Sequence, residues 1–325
     1  MKKPYLSIIV TGRNDNYGER FTFRLKLFFQ VLLAQLKKYP INAEIVFVEW
    51  NPPQKQPKFS SEFKKWFPHP LTPIRVILVP LAIHQKFPNS EKMPLFEVIA
   101  KNAGIQRAKG LFILVTNPDI LFPDKLIELI SQKNLRTDAF YRVDRVDYKF
   151  TDVPPDLTPE NIFRYAREKA FSLHTFGCAV KLRENLPYFL KIRLGLLNAI
   201  FMRRLIKRQG KPVFDRIHVN VSGDFILMAN EHWRKLRGFP EKTTYSYIDG
   251  YVCFGAAGLG LRQVILDQSY SIFHLEHGRL KDLPYSSLAE FAQHYDEVLN
   301  HQRSPIFNSD HWGLDRYKLK ETIIY

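Results

Sequence analysis

Apolar, β-branched runs alternate with segments of helical periodicity through the first 150 residues. This pattern constrains the fold more than any other feature of the chain. Tyr5–Thr11, Glu44–Glu49, Ile74–Val79, Leu111–Thr116 and Ala139–Val146 read as strands. Phe21–Lys38, Leu95–Arg107 and Asp124–Gln132 carry apolar residues three and four apart and read as helices. Such alternation argues for a parallel, doubly wound sheet with helices on both faces. The polar strand exits of such a sheet gather at one edge and form one cleft. Here they are Thr11–Asn16, Glu49–Asn51 and Asn117–Asp119. Gly110 reads as a helix stop before the fourth strand. Pro118 ends that strand because it cannot donate to a sheet ladder, which leaves Asp119 at the strand's carboxyl end. From these residues alone, Asn117-Pro118-Asp119 is either a turn or a ligand site.

The chain has 325 residues, enough for one large domain or two modest ones. A net charge of +16 favours anionic partners, whether nucleic acid, phosphate-bearing ligands or an anionic membrane surface. The loop GRNDNYG after the first strand lacks both the G-x-G-x-x-G spacing and the P-loop Lys-Ser/Thr. That argues against a dinucleotide enzyme or a P-loop NTPase. Cys178 and Cys253 make neither a disulfide framework nor a zinc cluster, and a reducing compartment is the simpler setting. Leu6–Val10 is too short for the apolar core of a signal peptide and reads as a first strand. No run approaches the ~18 uncharged apolar residues of a membrane span, so no transmembrane helix is expected.

Beyond residue 150 the alternation breaks. Asp152–Pro159 reads as a loop. Asn185–Phe214 then holds no acidic residue, while Lys191, Arg193, Arg203, Arg204, Lys207, Arg208 and Lys211 are basic. On a helix, Arg203, Arg204, Lys207 and Arg208 share a face, with Met202, Leu205 and Ile206 opposite. That suits an anionic membrane surface. A partly buried helix with a solvated basic end accounts for the same residues. Phe225–Met228 is then a strand, with Asn230 as N-cap of a helix over Glu231–Leu236. Tyr247–Gly258 reads as a helix, and Leu261–Leu266 and Tyr270–His274 as strands. The organisation expected is an α/β half over 1–150, a basic apolar insert over 151–220, a second half of the same domain over 221–280, and a C-terminal extension over 281–325.

Three blocks then carry a resemblance. They are the first strand with its polar exit, the N-x-G-I-x-x-A-K-G run from Asn102 before the strand ending at Asn117-Pro118-Asp119, and GDFILM from Gly223 followed by Trp233, Leu236 and Gly238-Phe239-Pro240-Glu241. Together they resemble the family 2-like nucleotide-sugar glycosyltransferases of the GT-A fold, over roughly Tyr5–Asn51, Asn102–Phe122 and Gly223–His277. The resemblance implies a Rossmann-like, mostly parallel central sheet flanked by helices, here with a helical basic insert. It implies transfer of a sugar, with inversion, from a nucleotide diphosphate donor such as a uridine diphosphate sugar. The acceptor would be a hydroxyl of a glycan or a lipid-linked glycan, as in polysaccharide biosynthesis at the inner membrane face of the cytoplasm.

By the same resemblance Thr11, Gly12, Arg13, Asn14, Glu49, Asn102, Asn117 and Asp119 bind the donor. Asp119 holds Mn²⁺ or Mg²⁺ with His277 or His274. The ion would neutralise the departing diphosphate. Asn117 stands where the family's motif has its first aspartate, and it adds no charge. Asp249 would take the acceptor proton and Asp224 would orient sugar or acceptor. Glu276 is expected to turn away from the two histidines on an extended chain. Bland readings exist for each: polar strand exits, a helix cap at Asp249, surface histidines. A non-catalytic glycan- or nucleotide-binding protein on the same fold is the alternative. No nucleic-acid-binding module is recognisable, so no nucleic-acid partner is expected.

Overall fold

The structure is a computed structural model, and it describes residues 3–149, 158–159, 161–210, 212–245, 247–278 and 284–325. The loop expected at Asp152–Pro159 therefore lies, apart from Thr158 and Pro159, outside the described residues, as does Lys211. In chain order the elements are β1 (Leu6–Gly12), α1 (Phe21–Lys38), β2 (Ala43–Trp50), α2 (Phe59–Trp66), β3 (Ile74–Val79), α3 (Leu81–His84), α4 (Glu97–Arg107), β4 (Phe112–Val115) and β5 (Ile120–Leu121). Next come α5 (Asp124–Ser131), β6 (Ala139–Arg142), β7 (Arg145–Tyr148), α6 (Ile162–Glu168), β8 (Ala170–Thr175), β9 (Cys178–Lys181) and α7 (Tyr188–Arg208). The chain closes with β10 (Ile226–Ala229), α8 (Asn230–Leu236), α9 (Gly250–Gly258), β11 (Arg262–Ile265), β12 (Ile272–Leu275), α10 (Leu288–Leu299) and β13 (Lys320–Ile324).

An eight-stranded sheet runs in the order β11-β6-β10-β4-β1-β2-β3-β13. β1 lies parallel between β2 and β4, while β10 and β13 run antiparallel to their neighbours. The mostly parallel α/β sheet expected from the alternation is therefore present. The pleat explains its two cores. Leu6, Ile8 and Val10 face α1, α2 and α5, while Ile9 faces α4, α8 and α9. β1 is buried along its whole length, as a strand covered on both faces must be.

A second sheet, β5-β12-β7-β8-β9, stands beside the first. The single strand expected over Ala139–Val146 is corrected here, because the chain leaves the large sheet after Arg142 and enters the small one at Arg145. On either side of the break, Arg142 is buried and donates to the Asn220 and Ser222 carbonyls, while Arg145 pairs with Asp224 and Asp147. The expected insert contributes two strands to this second sheet and a helix, α7, that packs on it. The β8–β9 hairpin pairs with β7, and Ile192 and Ala199 of α7 share a core with Leu27 and Val31 of α1. The C-terminal residues return to the large sheet, where β13 pairs antiparallel with β3. Among the described residues, no helix is long and apolar enough to cross a membrane.

Two local expectations are also revised. Asn230 is the first residue of α8 and makes no cap; its side-chain amide donates to the Gly110 carbonyl instead. Helix α4 ends at Arg107, so Gly110 is not its stop. Gly110 lies against β1, where an added Cβ would come within 2.5 Å of the Ser7 backbone nitrogen.

Candidate active site

The carboxyl ends of β1 and β4 open into a cleft of about 530 Å³, lined by residues from both sheets. Thr11, Arg13, Asn117, Asp119, Asp224, Asp249, His274 and His277 all line it. These side chains come from five separate stretches of sequence, and strand pairing brings them together. Antiparallel β10 beside β4 sets Ile226 opposite Val115. That places Asp224 at the Asn117 elbow, where Asp224 Oδ1 accepts from Asn117 Nδ2 at 2.9 Å and its carbonyl accepts from the Thr116 hydroxyl at 2.8 Å. Antiparallel β12 beside β5 sets His274 opposite Ile120, and Leu275 N–H donates to the Asp119 carbonyl.

Asp119, His274 and His277 bring one possible ligand atom each within 4.8 Å of one another. His277 Nδ1–H donates to the Gly278 carbonyl at 2.7 Å, and its Nε2 lies 2.9 Å from Asp119 Oδ2. In that tautomer two lone pairs face each other, which requires either a proton or a cation between them. Asp119 Oδ1 is buried with no hydrogen-bond partner. Burial works to raise the Asp119 pKa, but the His277 hydrogen bond and the charges of His274, His277 and Arg24 hold it well below the ordinary carboxylate range. An ionised oxygen without a partner, beside two imidazoles, fits a divalent cation. Two nitrogen donors favour Mn²⁺ over Mg²⁺, which prefers an all-oxygen shell.

Behind His274 stands a buried charge network. Its Nδ1–H donates to Asp147 Oδ1 at 3.1 Å, which leaves Nε2 as the nitrogen that could meet a metal ion, in place of the proton it otherwise carries. Asp147 Oδ2 accepts from His174 at 2.8 Å, and Arg145 lies 2.8 Å from Asp147 and 2.6 Å from Asp224. Burial opposes charge at Arg145, but Asp224 and Asp147 more than offset it and hold its pKa above the ordinary value. Asp147 is likewise desolvated, yet His174, His274 and Arg145 keep it far below the usual carboxylate range. Glu276 is corrected here. Its carboxylate lies 3.5 Å from His274, because residues two apart on a strand share a face. Arg145, Asp147 and His174 were missed from the sequence. The signal was present in Arg145-Val146-Asp147, two charges on one face of an apolar strand.

Asp249 flanks the start of α9 but makes no side-chain cap. Its Oδ2 accepts the Gly223 N–H at 2.5 Å. Burial raises its pKa, with Gly223 and Lys101 pulling the other way. Lys101 is itself buried, ion-paired to Glu97, and donates to the Gly223 carbonyl at 3.0 Å. Val221, just before this turn, has φ 48°, a costly conformation for a β-branched residue.

Four of the expected donor-binding residues do not line the cleft, for identifiable reasons. Glu49 is fully buried and its Oε1 accepts the Phe59 N–H, closing the start of α2. Asn102 exchanges two hydrogen bonds of 2.8 Å with the Phe239 backbone and donates to Glu241, latching the Gly238–Glu241 loop to α4. Asn14 donates to the Pro57 carbonyl, and Gly12 abuts the Phe21 and Phe47 rings. The remaining loop between β1 and α1 is clamped by Arg24, which donates to the Tyr17, Gly18 and Glu19 carbonyls. Gly18, with φ 61°, is the one position where this loop touches His277 without a side chain. Tyr17 meets the His277 ring edge-on at 5.2 Å.

No protein-family model and no curated protein matches the chain. Solved structures are similar in outline. TarS from S. aureus aligns with a TM-score of 0.44 and 13% identity over 84% of this chain and 37% of its own. GalNAc-T7, solved with UDP, GalNAc and Mn²⁺, aligns with a TM-score of 0.48 and 13% identity over 92% of this chain and 48% of its own. The chain thus spans less than half the length of either. Likeness at these scores decides no family.

Proposed function

We propose that the chain is an inverting nucleotide-sugar glycosyltransferase. The observation that carries this reading is the meeting of Asp119, His274 and His277 in the same cleft as Asp249. The donor is a nucleotide diphosphate sugar, with a uridine diphosphate sugar as first choice. Its diphosphate lies at Asp119, His274 and His277, and Thr11 and Arg13 line the wall beyond. A Mn²⁺ ion held there would neutralise the charge that gathers on the leaving diphosphate. Asp147 and Gly278 hold the two imidazoles in the tautomers that offer Nε2.

Asp249 is the base. Both oxygens of Asp224 are already engaged, by Asn117 and by Arg145, so neither is free to meet an acceptor hydroxyl. Asp249 is held through Oδ2, and burial makes its carboxylate more basic than usual. It takes the proton from the acceptor hydroxyl as that oxygen forms the new bond to the sugar's anomeric carbon. Asp224 orients the sugar through the Asn117 elbow. The acceptor is a glycan or lipid-linked glycan hydroxyl, met by a cytoplasmic chain at the inner membrane face.

The decisive measurement is transfer or hydrolysis across a panel of nucleotide sugars with and without Mn²⁺. Asp119→Ala should abolish Mn²⁺-dependent turnover and the thermal shift produced by the nucleotide with Mn²⁺. Asp249→Asn should lower kcat by roughly 10²–10⁴ while nucleotide binding persists. Nucleotide binding with no turnover of any donor in the wild type would favour the non-catalytic alternative, which the single carboxylate of Asn117-Pro118-Asp119 also suits.

A further inference from the structure

Helix α7 is built the wrong way round for a soluble surface helix. Its inner face carries Ile192, Gly195 and Ala199 against β8 and β9, with Gly195 packed on Leu173 and Leu182. Its outer face carries the large apolar residues. Phe189, Leu197 and Phe201 are 68%, 60% and 64% exposed. Single exposed leucines need no explanation, but a row of them on one helix does. Arg193, Arg204 and Arg208 are exposed on the same helix.

We propose that this outer face of α7 docks on an anionic lipid bilayer surface, lying in the interface plane. The occupant follows from charge. A second copy of this chain would set the same arginines against one another, on a protein of net charge +16. An anionic bilayer instead neutralises the arginines while the headgroup boundary takes up the phenylalanine and leucine side chains. The docking residues differ from those the sequence pattern selected. Arg203 and Lys207 both pair with Asp215, and Lys191 is buried with its ammonium donating to the Glu168 carbonyl.

Docking would also set the cleft at the bilayer. The turn between β8 and β9 brings Gly177 to the cleft wall, and the chain leaving α7 contributes Phe214 and Val219 to it. This proposal rests on the transferase reading only for its purpose, since a lipid-linked acceptor would be presented to Asp249 from that side. Its geometry stands alone.

The test is co-sedimentation with vesicles of phosphatidylcholine alone or with one-quarter phosphatidylglycerol. The wild type is expected on the anionic vesicles and to be released by salt. The double variant Arg204→Gln/Arg208→Gln should bind about 30-fold more weakly, at roughly fivefold per basic residue. Leu197→Ser/Phe201→Ser should weaken binding at least ~10-fold at any salt. All of these side chains are exposed, and an unchanged melting curve shows that each variant is folded. Wild type that stays in solution, variants that sediment like wild type, or a dimer that Phe201→Ser dissociates would each overturn the proposal. A thermal-shift titration with UDP and Mn²⁺ on the same samples separates the two readings. Loss of that shift alone would count against the transferase and leave the docking supported.

Discussion

Asp147 touches no substrate-sized space directly, yet it holds the ring that does. Its carboxylate is shared by His274, His174 and Arg145, and its Oδ1 fixes which nitrogen of His274 stays free. Asp147→Asn should therefore weaken Mn²⁺ binding by about 10–100-fold while the protein stays folded. Titration calorimetry with Mn²⁺ reads the affinity. The ¹⁵N shifts of His274 would report mixed tautomers, which a purely structural role would not produce. Glu49 makes a different residue-scale prediction. Burial pushes its carboxyl up to about 7, against the Phe59 N–H that favours the ionised form. A raised carboxyl keeps its proton in the folded protein after the unfolded chain has lost it. Stability is thus unaffected by Glu49 below about pH 4.5, falls between about 4.5 and 7, and stays lower above. Glu49→Gln should remove that loss, so that urea melts show the variant gaining up to about 3 kcal/mol at pH 8 and almost nothing at pH 4.5. A variant no more stable than wild type at pH 8 would contradict the burial account.

At the scale of elements, close approach of backbone rather than hydrophobic pattern sets the limits. Gly110 bonds the Ser7 hydroxyl through its N–H and leaves no room for a Cβ against β1. Gly110→Ala must displace a strand at the centre of the sheet. Because the opposing atoms are backbone, the cost should lie near 3 kcal/mol, at the upper end for overpacking. Chemical denaturation measures it, and a change under 1 kcal/mol would mean that β1 can shift. The edge of the large sheet depends on β13. Arg75, buried between β2 and β13, bonds Glu44 at 2.6 Å and Glu321 at 2.8 Å. Deleting residues 320–325 removes the Glu321 partner and bares the β3 edge. The truncated chain should melt on the order of 5 °C lower and aggregate on heating, as light scattering would show.

For the whole molecule, the alternation of the first 150 residues was enough to specify the α/β sheet. Phe21–Lys38 and Ile74–Val79 fall where their periodicity puts them. Periodicity works there because each element buries a face fixed by its own repeat. It could not find β13 or the β8–β9 hairpin, whose residues alternate weakly and whose pairing partners are distant in sequence. The site divides in the same way. Local sequence put Asp119 at a strand exit, as a turn or a site, and only the resemblance singled out Asp249; both line the cleft. Glu49 is a carboxylate at a similar strand end and Asn102 an amide within α4, but packing turns one beneath α2 and the other onto the Gly238–Glu241 loop. Nothing local distinguishes a carboxylate facing the cleft from one capping a helix below it. The meeting of His274 with Asp119 depends on β12 pairing with β5 across nearly half the chain, and the register of that pair was decided only by the tertiary fold.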